Sequence, residues 1–93
     1  MGNDIYNDRP NRIIQRLTQI LKPLGYILCF DNRGLLRSIK KGTMSRPCPY
    51  FYKDKKGKIY MKIKSKSNTI DKCIDKETDE WLAYYAYKEI IKN

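Results

Sequence analysis

Two tetrapeptides of one design, Asp31-Asn32-Arg33-Gly34 and Asp54-Lys55-Lys56-Gly57, constrain the fold of this chain more than any other feature. Each puts Asp first and Gly fourth, the composition of a type I turn closed by a glycine bulge. Runs of strand-forming residues flank both: 26–30 and 35–40 around the first, 50–53 and 58–64 around the second. The chain therefore reads as two hairpins. In 58–64, Ile59, Met61 and Ile63 alternate with Lys58, Tyr60, Lys62 and Lys64, so one face is buried and the other wet. Across that hairpin, Phe51 or the Tyr50/Tyr52 pair joins the buried face, and the sequence leaves the register open. Residues 41–49 contain one glycine and two prolines and are expected as an irregular loop.

Helical periodicity brackets the hairpins. Ile13, Ile14, Leu17, Ile20, Leu21 and Leu24 mark one face of a helix over 9–21, with Asp8 as its cap and Pro10 in its first turn. Pro23 and Gly25 end it. Its other face carries Arg9, Arg12, Gln15, Arg16 and Gln19, expected as solvated or as a secondary nucleic-acid contact. After the polar residues 65–68, Ile70, Cys73 and Ile74 suggest a helical turn. Asp75 or Thr78 then caps a helix reaching about Ile91, with Glu77, Asp79 and Glu80 complementing its dipole. Trp81, Leu82, Tyr85 and Ile90 are expected in the core. Tyr84 and Tyr87 cannot all share that face, which leaves an aromatic patch to be covered or exposed. The expected fold is α+β, a single small basic domain over 1–93 in two layers, α-β-β-β-β-α, with one antiparallel sheet on an N-terminal and a C-terminal helix.

Charge is concentrated in the hairpins. Residues 33–66 hold twelve lysines and arginines against the single acid Asp54, while 1–32 carry a net +1 and 67–93 a net −2. The overall +10 destabilises the isolated fold by self-repulsion and attracts polyanions, of which phosphate backbones are the commonest.

Other classes lose support. The chain has no histidine, hence lacks the commonest general base and metal ligand, and it contains neither Gly-x-x-x-x-Gly-Lys nor Gly-x-Gly-x-x-Gly. Asp71 and Asp75 read as capping and solubility residues. Cys48 sits between two prolines in a basic neighbourhood that would lower its pKa, but it has no base partner. Cys29, Cys48 and Cys73 are odd in number, without Cys-x-x-Cys, and fit reduced intracellular thiols. No signal-peptide pattern or membrane-length apolar run occurs, so a cytoplasmic protein without cofactor or metal is expected. Abundant lysine and isoleucine hint at an AT-rich phage or mobile-element genome.

The leading expectation is a non-enzymatic nucleic-acid-binding module, with DNA or RNA as partner. Arg37, Lys40, Lys41, Arg46, Lys53, Lys55, Lys56, Lys58, Lys62 and Lys64 would contact phosphates, while Tyr60, with Tyr52 as a further candidate, would stack on bases. The basic hairpin and following helix, residues 50–88, include a Tyr/Lys hairpin with an Asp-Lys-x-Gly turn. This stretch resembles the arm-type DNA-binding domains of tyrosine recombinases, which implies a sheet entering a groove. A second expectation is a protein-binding inhibitor or adaptor of phage or mobile-element type, or a ribonucleoprotein or virion component. It would use Trp81, Tyr84 and Tyr87, and its motive is the contrast between basic middle and acidic C-terminal segment. The third, a metal-independent ribonuclease, follows from a resemblance to small basic toxins in size, charge and α+β layout.

Overall fold

The computed structural model describes residues 4–66 and 68–92, with side chains from Arg9 onward. Its order is α1 (Asp4–Leu21), a 3₁₀ turn (Lys22–Leu24), β1 (Tyr26–Phe30), β2 (Leu36–Lys41), β3 (Met44–Arg46), β4 (Tyr50–Lys53), β5 (Ile59–Lys64), β6 (Thr69–Cys73) and α2 (Asp79–Ile91). The fold is α+β: two helices and six antiparallel strands in two three-stranded sheets, β1-β2-β3 and β4-β5-β6.

Local chemistry explains most boundaries. Gly25 adopts φ 93° and its N–H closes on the Lys22 carbonyl, ending the helical segment where Pro23 and Gly25 predict. The two Asp-x-x-Gly turns are near-copies. Asp31 accepts from the N–H groups of Arg33 and Leu35, and Asp54 from those of Lys56 and Lys58, all at 2.9 Å. Gly34 and Gly57 close them at φ 84° and 86°. Thr78 caps α2, its Oγ1 accepting from the Trp81 N–H at 3.1 Å.

Four expectations are corrected. The first helix starts at Asp4, five residues earlier than expected, so Pro10 lies inside it and Asp8 is not its cap. Pro10 there forgoes one intrahelical hydrogen bond and is buried. The segment 41–49 is not all irregular. Gly42, at φ 62°, opens a two-residue turn that pairs Lys41 with Met44 and makes β3, so this glycine is a hairpin residue and only the prolines break the ladder. Residues 69–73 form no helical turn but the third strand of the second sheet, antiparallel to β5 from Tyr60↔Cys73 to Lys64↔Thr69. Six strands in two sheets thus replace the expected four in one.

The core draws on every layer. Ile13, Leu17 and Leu21 of α1 meet Leu82, Ala83, Ala86 and Ile90 of α2, with Tyr26 and Ile39 from the first sheet and Met61, Ile63 and Ile74 from the second side of the chain. α1 packs directly on α2, where two small buried alanines favour a close approach. Trp81 and Leu24, expected inside, are 42% and 45% exposed. Trp81 is displaced because Leu82, Ala83, Ala86 and Ile90 already complete the buried arc of α2.

Candidate nucleic-acid interface

The register of the second sheet resolves what the sequence leaves open. Phe51 lies opposite Met61 on the core face, and Tyr50↔Lys62 and Tyr52↔Tyr60 lie together on the other face. Strand β6 adds Asp71 beside Lys62, Cys73 beside Tyr60 and Thr69 beside Lys64. That outer face therefore carries three tyrosines, two lysines and one carboxylate. The Tyr52 and Tyr60 rings stack with centroids 5.4 Å apart, and Tyr50 meets Tyr52 at 6.5 Å in a tilted contact.

Tyr52 bridges the sheet. Its phenol donates to the Asp71 carboxylate, 2.6 Å from Oδ1 and 2.7 Å from Oδ2. Because β4 and β6 flank β5, the Tyr52 side chain spans the central strand, about 10 Å between the outer strands. The hydrogen bond to Asp71 pushes the Tyr52 phenol up to about 12, with the carboxylate charge acting in the same direction. Tyr52 is consequently a fixed ring with an occupied hydroxyl. Sequence reasoning missed Asp71 and Tyr50 because their membership of this face depends on β6 and on the β4 register.

The expected contact residues divide among three places. Tyr60, Lys62 and Lys64 share the outer face of β5. Lys55, Lys56 and Lys58 crowd the tip of the second hairpin and are exposed, while Lys53 falls on the opposite side of β4 from Tyr52, level with Ile59. The remaining four belong to the first sheet. Lys40 stands on its outer face between Ile27 and Ser45. Lys41 lies on the other face, its Nζ 4.9 Å above the Tyr26 ring. Arg37 occupies the irregular step of β2 and pairs with Asp31 at 3.6 Å. Arg46 is half-buried, with Nε inside and lacking a hydrogen-bond partner. The expected set is therefore not one continuous face.

The arginines of α1 have a structural task. Arg9 donates through Nε to Asp79 Oδ1 at 2.8 Å and through its other nitrogens to the carbonyls of Ile74 and Glu77. Arg12 holds Asp79 Oδ2 at 2.8 Å, and Arg16 pairs with Glu80 at 2.9 Å. Burial alone would raise the Asp79 carboxyl, but the hydrogen bonds and charges of Arg12 and Arg9 outweigh it and hold the group below the usual range. Of the acids of the C-terminal segment, Asp79 and Glu80 thus face α1. The face is solvated as expected at Arg12, Gln15, Arg16 and Gln19, while Arg9 is half-buried and all three arginines are engaged in these ion pairs.

A cleft of about 600 Å³ opens between α1 and the first hairpin turn, lined by Ile14, Arg33, Leu35, Arg37, Cys48 and Tyr50 among others. Burial pushes the Cys48 thiol up to about 11, and the nearby Arg37 charge does not prevail against it. The basic neighbourhood therefore fails to activate Cys48, contrary to the expectation from sequence. All three cysteines are unpaired. Among the described residues, no three His, Cys, Asp or Glu side chains gather as a metal site requires, and no helix is long and apolar enough to cross a membrane.

On α2, Trp81 is stacked on Tyr85 at 5.0 Å with Lys72 over its ring, and Tyr84 lies 5.7 Å from Tyr87 with Lys88 above it. Trp81, Tyr84 and Ile91 are exposed and recur at helical spacing. Compared with protein families, curated proteins and solved structures, the chain matches none.

Proposed function

We propose that this protein is a non-enzymatic, cytoplasmic nucleic-acid-binding module whose contact surface centres on the second sheet. The observation that carries the reading is the outer face of β4-β5-β6, where Tyr50, Tyr52 and Tyr60 stand beside Lys62 and Lys64. Lysines attract phosphate, and ring faces stack on bases. The hairpin tip adds Lys55, Lys56 and Lys58, all exposed. Asp54, the only acid of the basic block, accepts from the N–H groups of its own turn and is one negative charge against twelve positive ones. Binding should weaken steeply with salt. If about six phosphates are neutralised, the log–log slope is near −5 on duplex and near −4 on single strands. An affinity indifferent to salt between 50 and 200 mM would rule the proposal out.

A second reading, a protein-binding adaptor, has one observation in its favour: Trp81, Tyr84 and Ile91 form an exposed stripe on α2. Large aromatics of this kind anchor interfaces. Charge polarity argues less for it than the sequence suggests, since Asp79 and Glu80 pair with α1. If Trp81→Ala and Tyr84→Ala variants fold and retain every co-purifying protein, the stripe is not an interface.

A further inference from the structure

We infer that the outer face of the second sheet takes an unpaired nucleic-acid strand in preference to a duplex, an inference that rests on the nucleic-acid reading above. Tyr50 is 44% exposed at the start of β4 and offers a ring to a base. Tyr52 is clamped between Asp71 and Tyr60, so its ring is set before any ligand arrives and little side-chain freedom is lost on binding. In a duplex the base faces are covered by their neighbours, whereas an unpaired strand can present them to tyrosine rings.

Asp71 sharpens the choice. A carboxylate on this face, directly beside Lys62, repels a phosphate backbone laid flat across the sheet. It also keeps acceptor capacity beyond the Tyr52 hydrogen bond, because an ionised carboxylate has about four lone-pair sites. The groups that match it are N–H donors on base edges, which are accessible when Watson–Crick pairing is absent. Phosphates of the same strand then fall to the surrounding cations. Lys62 and Lys64 lie along β5. Tyr50 also lines the cleft that contains Arg33 and Arg37, which provides a cationic exit at that end of the face. The charge pattern is thus an acceptor on the edge strand β6 with lysines on the neighbouring central strand, so base edges can meet Asp71 while phosphates turn to Lys62, Lys64 and the arginine-lined cleft.

The test is fluorescence anisotropy with labelled 12-mers of single-stranded DNA, single-stranded RNA and the corresponding DNA duplex, at 50 and 150 mM salt. Both single strands are expected to bind at least about tenfold more tightly than the duplex. Tyr50→Ala should weaken single-strand binding at least about fivefold, Tyr50→Trp should retain it, and neither should alter duplex binding. Lys55→Gln with Lys56→Gln should weaken all three ligands by similar factors. Duplex binding as tight as single-strand binding, or Tyr50→Ala losses equal across the ligands, overturns this inference and leaves the nucleic-acid reading standing. Absence of binding to all three at 50 mM salt overturns both.

Discussion

Arg9 and Asp79, seventy residues apart in sequence, share a 2.8 Å hydrogen-bonded ion pair that fastens α1 to the first turn of α2. Arg12 takes the other oxygen of the same carboxylate, and Arg9 additionally caps the carbonyls of Ile74 and Glu77. One arginine thereby orders the connection from β6 into α2 and places the helix on the core. The pairing also sets these arginines apart from the lysines at the hairpin tip. The arginines of α1 organise the fold, and Lys55, Lys56 and Lys58 at the second hairpin tip are exposed.

Asp79→Asn should destabilise the protein by about 1–2 kcal/mol, a figure kept low because Arg12 is half-exposed and solvent screens its half of the pair. The wild-type contribution depends on pH with a definite sign. The folded carboxyl is held below its ordinary value of 3.8, so its stabilisation is fully present above that value and is lost as pH falls through the depressed one. Urea titrations at pH 7 and at pH 3 should show the wild type losing more stability on acidification than Asp79→Asn does.

The twin turns permit a matched comparison. A Cβ at Gly34 or Gly57 meets nothing within 4 Å, so the cost of alanine there is purely that of a left-handed backbone. Gly34→Ala and Gly57→Ala should each cost about 1–2 kcal/mol, and asparagine at either site should cost less. Thermal unfolding of the four variants checks this. A much larger loss at one turn would show that the turns are not equivalent.

Tyr52 should be a late-titrating tyrosine. Its phenol is raised to about 12, so the Asp71 hydrogen bond stabilises the fold fully below pH 10 and is lost as pH climbs toward the folded value. Ultraviolet titration of the wild type should contain a component near pH 12 that is absent from Tyr52→Phe. Asp71→Asn should bring that component down.

The cysteines should differ in reactivity. With its pKa near 11, Cys48 is about 0.1% thiolate at pH 8 and is partly buried, whereas Cys29 is exposed. Alkylation followed by peptide mapping should label Cys29 well before Cys48. Equal rates would mean that the segment around Pro47 and Pro49 opens readily.

Several features are legible in the residues alone because their causes are local. Asp and Gly three apart shape each turn whatever surrounds it, and Pro23 with Gly25 stops a helix by backbone geometry. Alternation in 59–63 separates the core-facing Met61 and Ile63 from Tyr60 and Lys62 without knowledge of any partner strand. Thr78 announces α2 by the hydroxyl it offers to the Trp81 N–H.

Tertiary contacts decided the rest. Thr69 to Cys73 alternates too weakly to declare itself a strand, and becomes one because β5 has an unpaired edge whose N–H and C=O groups need partners. Only that pairing sets Asp71 against Tyr52 and creates the tyrosine face with an acid among its lysines. Trp81 is large and apolar yet exposed, because two alanines let the helices close the core without it. Composition and local pattern determined a basic α+β chain with two Asp-x-x-Gly hairpins. Which side chains share a face, and which charges are paired within the fold, was decided by register and by ion pairs between the chain's two ends, since both join residues that no local window contains.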